Sequence, residues 1–171
     1  MRNPTNGILV EVEKLQRYFD VSPPFLNRLI ERTGKVYVKA VDGITFSTPV
    51  RHIHPVETYG LVFQTPRHSF AYITDTRYFD GLSTNYLDSE LIIVNVVLIE
   101  PRPFVSHLSV PEARDLIAEI KPKIAILNHF GMGVWKARPW QIAEKLSEET
   151  GVRVIAAKDG MKFDLSQLDE G

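Results

Sequence analysis

Cysteine is absent from this 171-residue chain. That removes disulfides and thiolate metal sites together, leaving His, Asp and Glu as the side chains able to hold a metal. A surplus of one charge is also missing: 20 Lys and Arg stand against 21 Asp and Glu, for a net charge of −1. The basic residues are scattered and form no stripe, so nucleic acid is not the expected partner. No apolar run approaches a bilayer span, since the longest, Leu91 to Ile99, is interrupted by Asn95. With no apolar signal core at the N-terminus either, no membrane segment is expected and a cytoplasmic location is the default. Repeats of solenoid period, low-complexity stretches and linkers are likewise lacking. What remains is globular composition, 44% hydrophobic and 24% charged, which predicts a single domain over residues 1–171 with a core of its own.

Along the chain, Gly7 to Val12 reads as a strand and Val21 to Arg32 as a helix, with Pro23 and Pro24 at its start and Gly34 beyond its end. Val36 to Val41 and Ile44 to Arg51 flank Asp42-Gly43, a strong hairpin signal, and Leu61 to Gln64 and Phe70 to Thr74 form a second strand pair. The rhythm then changes. Leu91 to Ile99 suits a strand buried on both faces, and Ser109-Val110-Pro111-Glu112 is a capping box opening a helix whose buried stripe is Ala113, Leu116, Ile117 and Ile120. Ile124 to Leu127 is the next strand, Pro139 opens a helix that Gly151 ends, and Val152 to Ala157 with Met161 to Leu165 reads as a closing hairpin over Asp159-Gly160. Alternating strands and helices predict an α/β fold with a mixed sheet.

Three of the strand-like runs finish near His54, Asp75 and His129. If those strands share a polarity in one sheet, two imidazoles and a carboxylate converge on one rim as a metal site with open positions, the requirement for activating a water. The bland alternative is that each His is a surface or hydrogen-bonded residue. His52 lies two residues before His54; on a strand the pair would share a face at about 6.5 to 7 Å. His54 is the expected ligand and His52 a residue behind it.

The order and wording of these segments resemble the C-terminal part of a metallo-β-lactamase-fold hydrolase of the ribonuclease Z-like branch, from roughly Gly43 to Leu165. His54 followed by Gly60 resembles the family's metal-binding His before a Gly-apolar strand. Tyr72-Ile73-Thr74-Asp75-Thr76 resembles the strand ending in the Asp-Thr pair whose carboxylate bridges two metals, and Leu127-Asn128-His129-Phe130 resembles the last metal motif. Ala157-Lys158-Asp159-Gly160-Met161 resembles the closing hairpin. The resemblance implies one half of an αββα sandwich, a divalent metal (zinc, iron or manganese) held by His54, Asp75 and His129, and hydrolysis of a small-molecule ester or a phosphodiester. It also implies catalytic roles for Asp75 and for His107, whose Ser106-His107-Leu108-Ser109 segment resembles one that places a proton donor at the metal; hydrogen bonding at the helix start is the alternative for His107.

The family's first metal motif, His-x-His-x-Asp-His, is not in this sequence, whose five histidines are His52, His54, His68, His107 and His129. The Glu that partners the proton donor is missing too, the matching strand reading Asn95-Val96-Val97-Leu98. Two readings stay open: a metal-dependent hydrolase, or a truncated, catalytically silent chain that serves as an interaction module or needs a second chain to complete its site. If the start is assigned too late, the motif is expected upstream of Met1. Half a sandwich also leaves an apolar sheet face, expected to carry Val94, Val96, Ile124 and Ile126. It would be covered by the first strands and helix, by a second copy, or by a complementary chain.

Overall fold

The computed structural model describes residues 37–39 and 45–169. The expected first strand and first helix, and the Asp42-Gly43 turn, lie outside the described residues. The elements in chain order are β1 (Tyr37–Lys39), β2 (Thr45–Ser47), β3 (Leu61–Gln64), β4 (Ser69–Ile73), β5 (Leu91–Asn95), α1 (Val110–Ile120), β6 (Ile124–Asn128), α2 (Met132–Lys136), α3 (Pro139–Thr150) and β7 (Arg153–Ala156). All seven strands lie in one mixed sheet in sequence order, antiparallel from β1 to β4 and parallel from β4 to β7. Because β2 is antiparallel to β3, and β3 to β4, strand β2 runs the same way as β4, β5 and β6. Their C-terminal ends therefore share one edge.

Helix α1 begins where the sequence places it. The Glu112 carboxylate accepts the Ser109 backbone N–H at 2.8 Å and the Ser109 hydroxyl at 2.6 Å, satisfying a donor that a helix N-terminus otherwise leaves orphaned. Its stripe of Ala113, Leu116, Ile117 and Ile120 packs with Ala143 and Leu146 of α3 against Ala71, Ile73, Ile92, Val94, Ala125 and Leu127 of the sheet. Helix α3 ends on Gly151 at φ +71°, the left-handed turn that glycine makes without strain.

Strand alternation corrects the expected grouping of the apolar residues. Val94 and Val96 belong to the helix-covered core, whereas Ile124 and Ile126 join Leu91 on the opposite face, because successive side chains of a strand point to opposite sides. That second face has a cover among the described residues. It comes from the C-terminal segment: Met161, Phe163, Leu165 and Leu168 pack against Leu91, Ile93, Ile124, Ile126 and Ile155. The closing hairpin accordingly does not form. After β7 the chain turns at Gly160 and crosses the sheet face, with a single 3-10 turn over Leu165–Leu168. Apolar side chains on this segment are better buried against the open face than along an edge.

The N-terminal edge of the parallel strands fastens that crossing. His68 Nδ1 lies 3.2 Å from Glu90 and its Nε2 lies 3.3 Å from Asp169, while Lys123 Nζ reaches Glu90 at 3.1 Å and donates to the Leu168 carbonyl at 2.8 Å. Burial raises the Glu90 pKa, but hydrogen bonds with Lys123, the Ser69 backbone and His68 outweigh it and hold the carboxyl below its ordinary value. This cluster sits at the opposite end of the sheet from the candidate site.

Candidate metal centre

The loop after β2 is pinned to the end of β4. His52 N–H donates to the Thr58 carbonyl at 2.8 Å and Gly60 N–H to the Val50 carbonyl at 3.0 Å, closing a small loop around residues 53–57. The fully buried Thr76 hydroxyl accepts the Ile53 N–H at 3.0 Å, and Arg77 N–H donates to the Ile53 carbonyl at 3.1 Å. The Asp75-Thr76 pair thus has a mechanical division of labour. Thr76 clamps the segment that carries His54, and Asp75 faces the rim beside it.

His54, Asp75 and His107 each offer one donor atom, all within 4.8 Å of one another. Asp75 Oδ1 lies 3.5 Å from His107 Nδ1, and Oδ2 lies 3.6 Å from His129 Nε2. The His107 ring centroid is 5.3 Å from that of His54 and 6.3 Å from that of His129. All four sequence-predicted residues therefore gather on one rim, at the shared C-terminal edge of β2, β4 and β6. His54 Nδ1 is engaged with the following loop, 3.3 Å from the Val56 N–H and 3.4 Å from its carbonyl. His129 sits just past β6 in the left-handed region at φ +56°, a conformation that costs a non-glycine residue about 1 kcal/mol or more and that turns the chain sharply at the rim.

His52 turns inward and is 3% exposed. The Thr74 hydroxyl donates to the Tyr59 carbonyl at 2.8 Å, so at 2.9 Å it must accept from His52 Nδ1, and His52 Nε2 then accepts from the Tyr86 hydroxyl at 2.7 Å. That pattern belongs to the neutral imidazole. Burial drives its pKa from 6.5 down to about 4, against smaller upward pulls from Asp75 and the Thr74 backbone. Since the folded value lies below the unfolded one, the contribution to stability is complete above pH 6.5 and is lost as pH falls toward 4. It amounts to about 3 kcal/mol at most. Urea denaturation of chelator-treated protein should show this loss between those pH values, with a clearly shallower pH slope in His52→Gln; equal slopes would remove His52 as the cause.

Sequence reasoning passed over the residues that orient Asp75. Asn95 Nδ2 donates to Asp75 Oδ1 at 3.0 Å, and Tyr72 Oη donates to Asn95 Oδ1 at 3.1 Å. A signal was present, because Asn95 interrupts an otherwise apolar buried run and is itself 5% exposed. A buried amide in a strand needs partners, and here it takes the carboxylate. The Gly131-Met132-Gly133 stretch leads from the rim into α2. Gly131 is required by space: a Cβ there would lie 2.3 Å from the Val97 carbonyl oxygen.

A donor set of imidazoles and one carboxylate suits zinc, iron or manganese. The fit has a specific mark, since the buried His107 Nδ1 has no hydrogen-bond partner yet lies beside a carboxylate oxygen. The sequence model of the Beta-lactamase superfamily domain matches residues 12–130. The chain belongs to that superfamily. It is 29% identical over 167 residues to the uncharacterized protein MJ1374 of Methanocaldococcus jannaschii, covering 93% of this chain and 61% of that one. The chain thus spans about three fifths of the length of this curated relative. Among solved structures it is similar to the metallo-beta-lactamase fold protein YhfI from Bacillus subtilis (TM-score 0.62, 18% identity, 81% of this chain and 61% of that one). It is also similar to the short form of human tRNase Z (TM-score 0.57, 13% identity, 79% and 48%). At those identities the likeness establishes the fold: the mixed sheet with helices on its outer face is one half of an αββα metallo-β-lactamase sandwich.

Proposed function

We propose that this superfamily member is a metal-dependent hydrolase that cleaves an ester or phosphodiester bond, with His54, Asp75 and His129 holding a divalent ion, zinc by preference. The observation that carries this reading is Asp75, whose two oxygens face two different imidazoles at 3.5 and 3.6 Å while a third imidazole nitrogen lies within 4.8 Å. A bound divalent ion supplies a coordinated water acidified toward neutral pH. The chain's residues do the rest. Asn95 and Tyr72 fix the carboxylate, Thr76 fixes the His54 loop, and the half-exposed His129 leaves the rim open to a substrate.

The test is turnover of bis(p-nitrophenyl) phosphate and p-nitrophenyl acetate by the full chain loaded with zinc, iron or manganese. Turnover should be abolished by chelator and by His54→Ala. No turnover above buffer with any of the three ions would favour a second reading, a silent module or a chain completed by a partner.

A further inference from the structure

Given a rim that binds a divalent cation, we infer that His107 is itself a metal ligand, sharing an ion with His54 and Asp75. His107 Nδ1 and Asp75 Oδ1 are 3.5 Å apart, too far for a charge-assisted hydrogen bond, which runs at about 2.7–2.9 Å. Two ligands on one tetrahedral ion with bonds of about 2.1 Å are separated by about 3.4 Å. The spacing is that of co-ligands. The rings of His54 and His107, 5.3 Å apart at 60°, agree, since two imidazoles on one such ion have centroids about 5 Å apart.

The state of the nitrogen points the same way. His107 Nδ1 is buried and has no hydrogen-bond partner, whereas an imidazole serving as a proton donor is normally aimed by a partner at hydrogen-bond distance. At hydrogen-bond distance, Asp75 Oδ1 accepts instead from Asn95 Nδ2, at 3.0 Å. The backbone around His107 is fixed. Its neighbour Leu108 is 1% exposed and its carbonyl accepts the N–H groups of Val97 and Leu98, and Ser109 is locked by Glu112. The imidazole sits at the rim with a bare nitrogen beside a carboxylate oxygen. His129 Nε2 faces the other oxygen of Asp75 at 3.6 Å.

This inference rests on the metal-binding reading above, and cobalt titration separates the two. The full chain is titrated with Co²⁺ while its visible absorption is followed, in the wild type and in His107→Ala, His107→Gln, His107→Asp, His54→Ala and His129→Ala, with circular dichroism to verify folding. The wild type should take up one equivalent. His107→Ala and His107→Gln should bind at least about 100-fold more weakly, beyond the effect usual for a residue behind the ligands, with a changed spectrum, and His107→Asp should recover part of the affinity. Wild-type affinity and an unchanged spectrum in the folded His107 variants, with binding lost in His54→Ala, would overturn the assignment of His107 while leaving the metal site. Absence of Co²⁺ binding by the wild type would overturn both.

Discussion

Replacing Gly60 with alanine should cost about 4 kcal/mol of folding stability. A Cβ at that position would lie 1.6 Å from the Tyr86 hydroxyl oxygen, 2.7 Å from Tyr86 Cζ and 2.8 Å from His52 Nε2. None of these atoms can yield cheaply. Tyr86 is 1% exposed within the core, and its hydroxyl is hydrogen-bonded to the buried His52. Overpacking costs about 1–3 kcal/mol, and leaving the imidazole nitrogen unpaired adds roughly 1–3 more. The melting temperature should fall by about 10 °C or more. Tyr86→Phe removes the nearest clash but leaves Cζ in place, so in the Gly60→Ala background it should rescue part of the loss. The two changes should then be non-additive by about 1 kcal/mol or more. A Gly60→Ala variant within about 1 kcal/mol of wild type, with additive behaviour, would show that the packing of Tyr86 and His52 against this glycine is wrong.

Asp75→Asn should produce the largest loss of metal affinity, at least about 100-fold, because it removes the charge and the second acceptor oxygen between His107 and His129. Asn95→Leu provides the scale. It deletes only the donor that orients Asp75, and removal of such an outer partner typically costs about 10–100-fold. Competition with a zinc-chelating dye measures both. If Asp75→Asn binds zinc within threefold of wild type, or less weakly than Asn95→Leu, the carboxylate is not at the centre of the site.

The parts of the fold written in local chemistry were legible from sequence. The Ser109 capping box, the helix starting at Pro139 and the left-handed Gly151 are each fixed by residues within one turn, so reading the chain found them. The convergence of His54, Asp75 and His129 was expected from three strand ends and the place of His107 from a resemblance, and sheet topology supplies the physical reason: two antiparallel steps bring β2 back into line with the parallel strands. Long-range choices stayed hidden. Whether residues 161–168 pair as a hairpin or cross the sheet depends on an apolar face assembled from β5, β6 and β7, which no local pattern displays. The role of Asn95 was hidden for the same reason, since its partner lies 20 residues earlier in the chain.

The most direct measurement is anomalous X-ray diffraction at the zinc absorption edge from crystals of the zinc-loaded full chain. One strong peak should appear at the rim, at about 2.0–2.2 Å from donor atoms of Asp75 and of the imidazoles around it. A zinc ion bound elsewhere on the molecule, or a rim without a peak in crystals grown from zinc-saturated protein, would contradict the metal centre on which the proposed hydrolase depends.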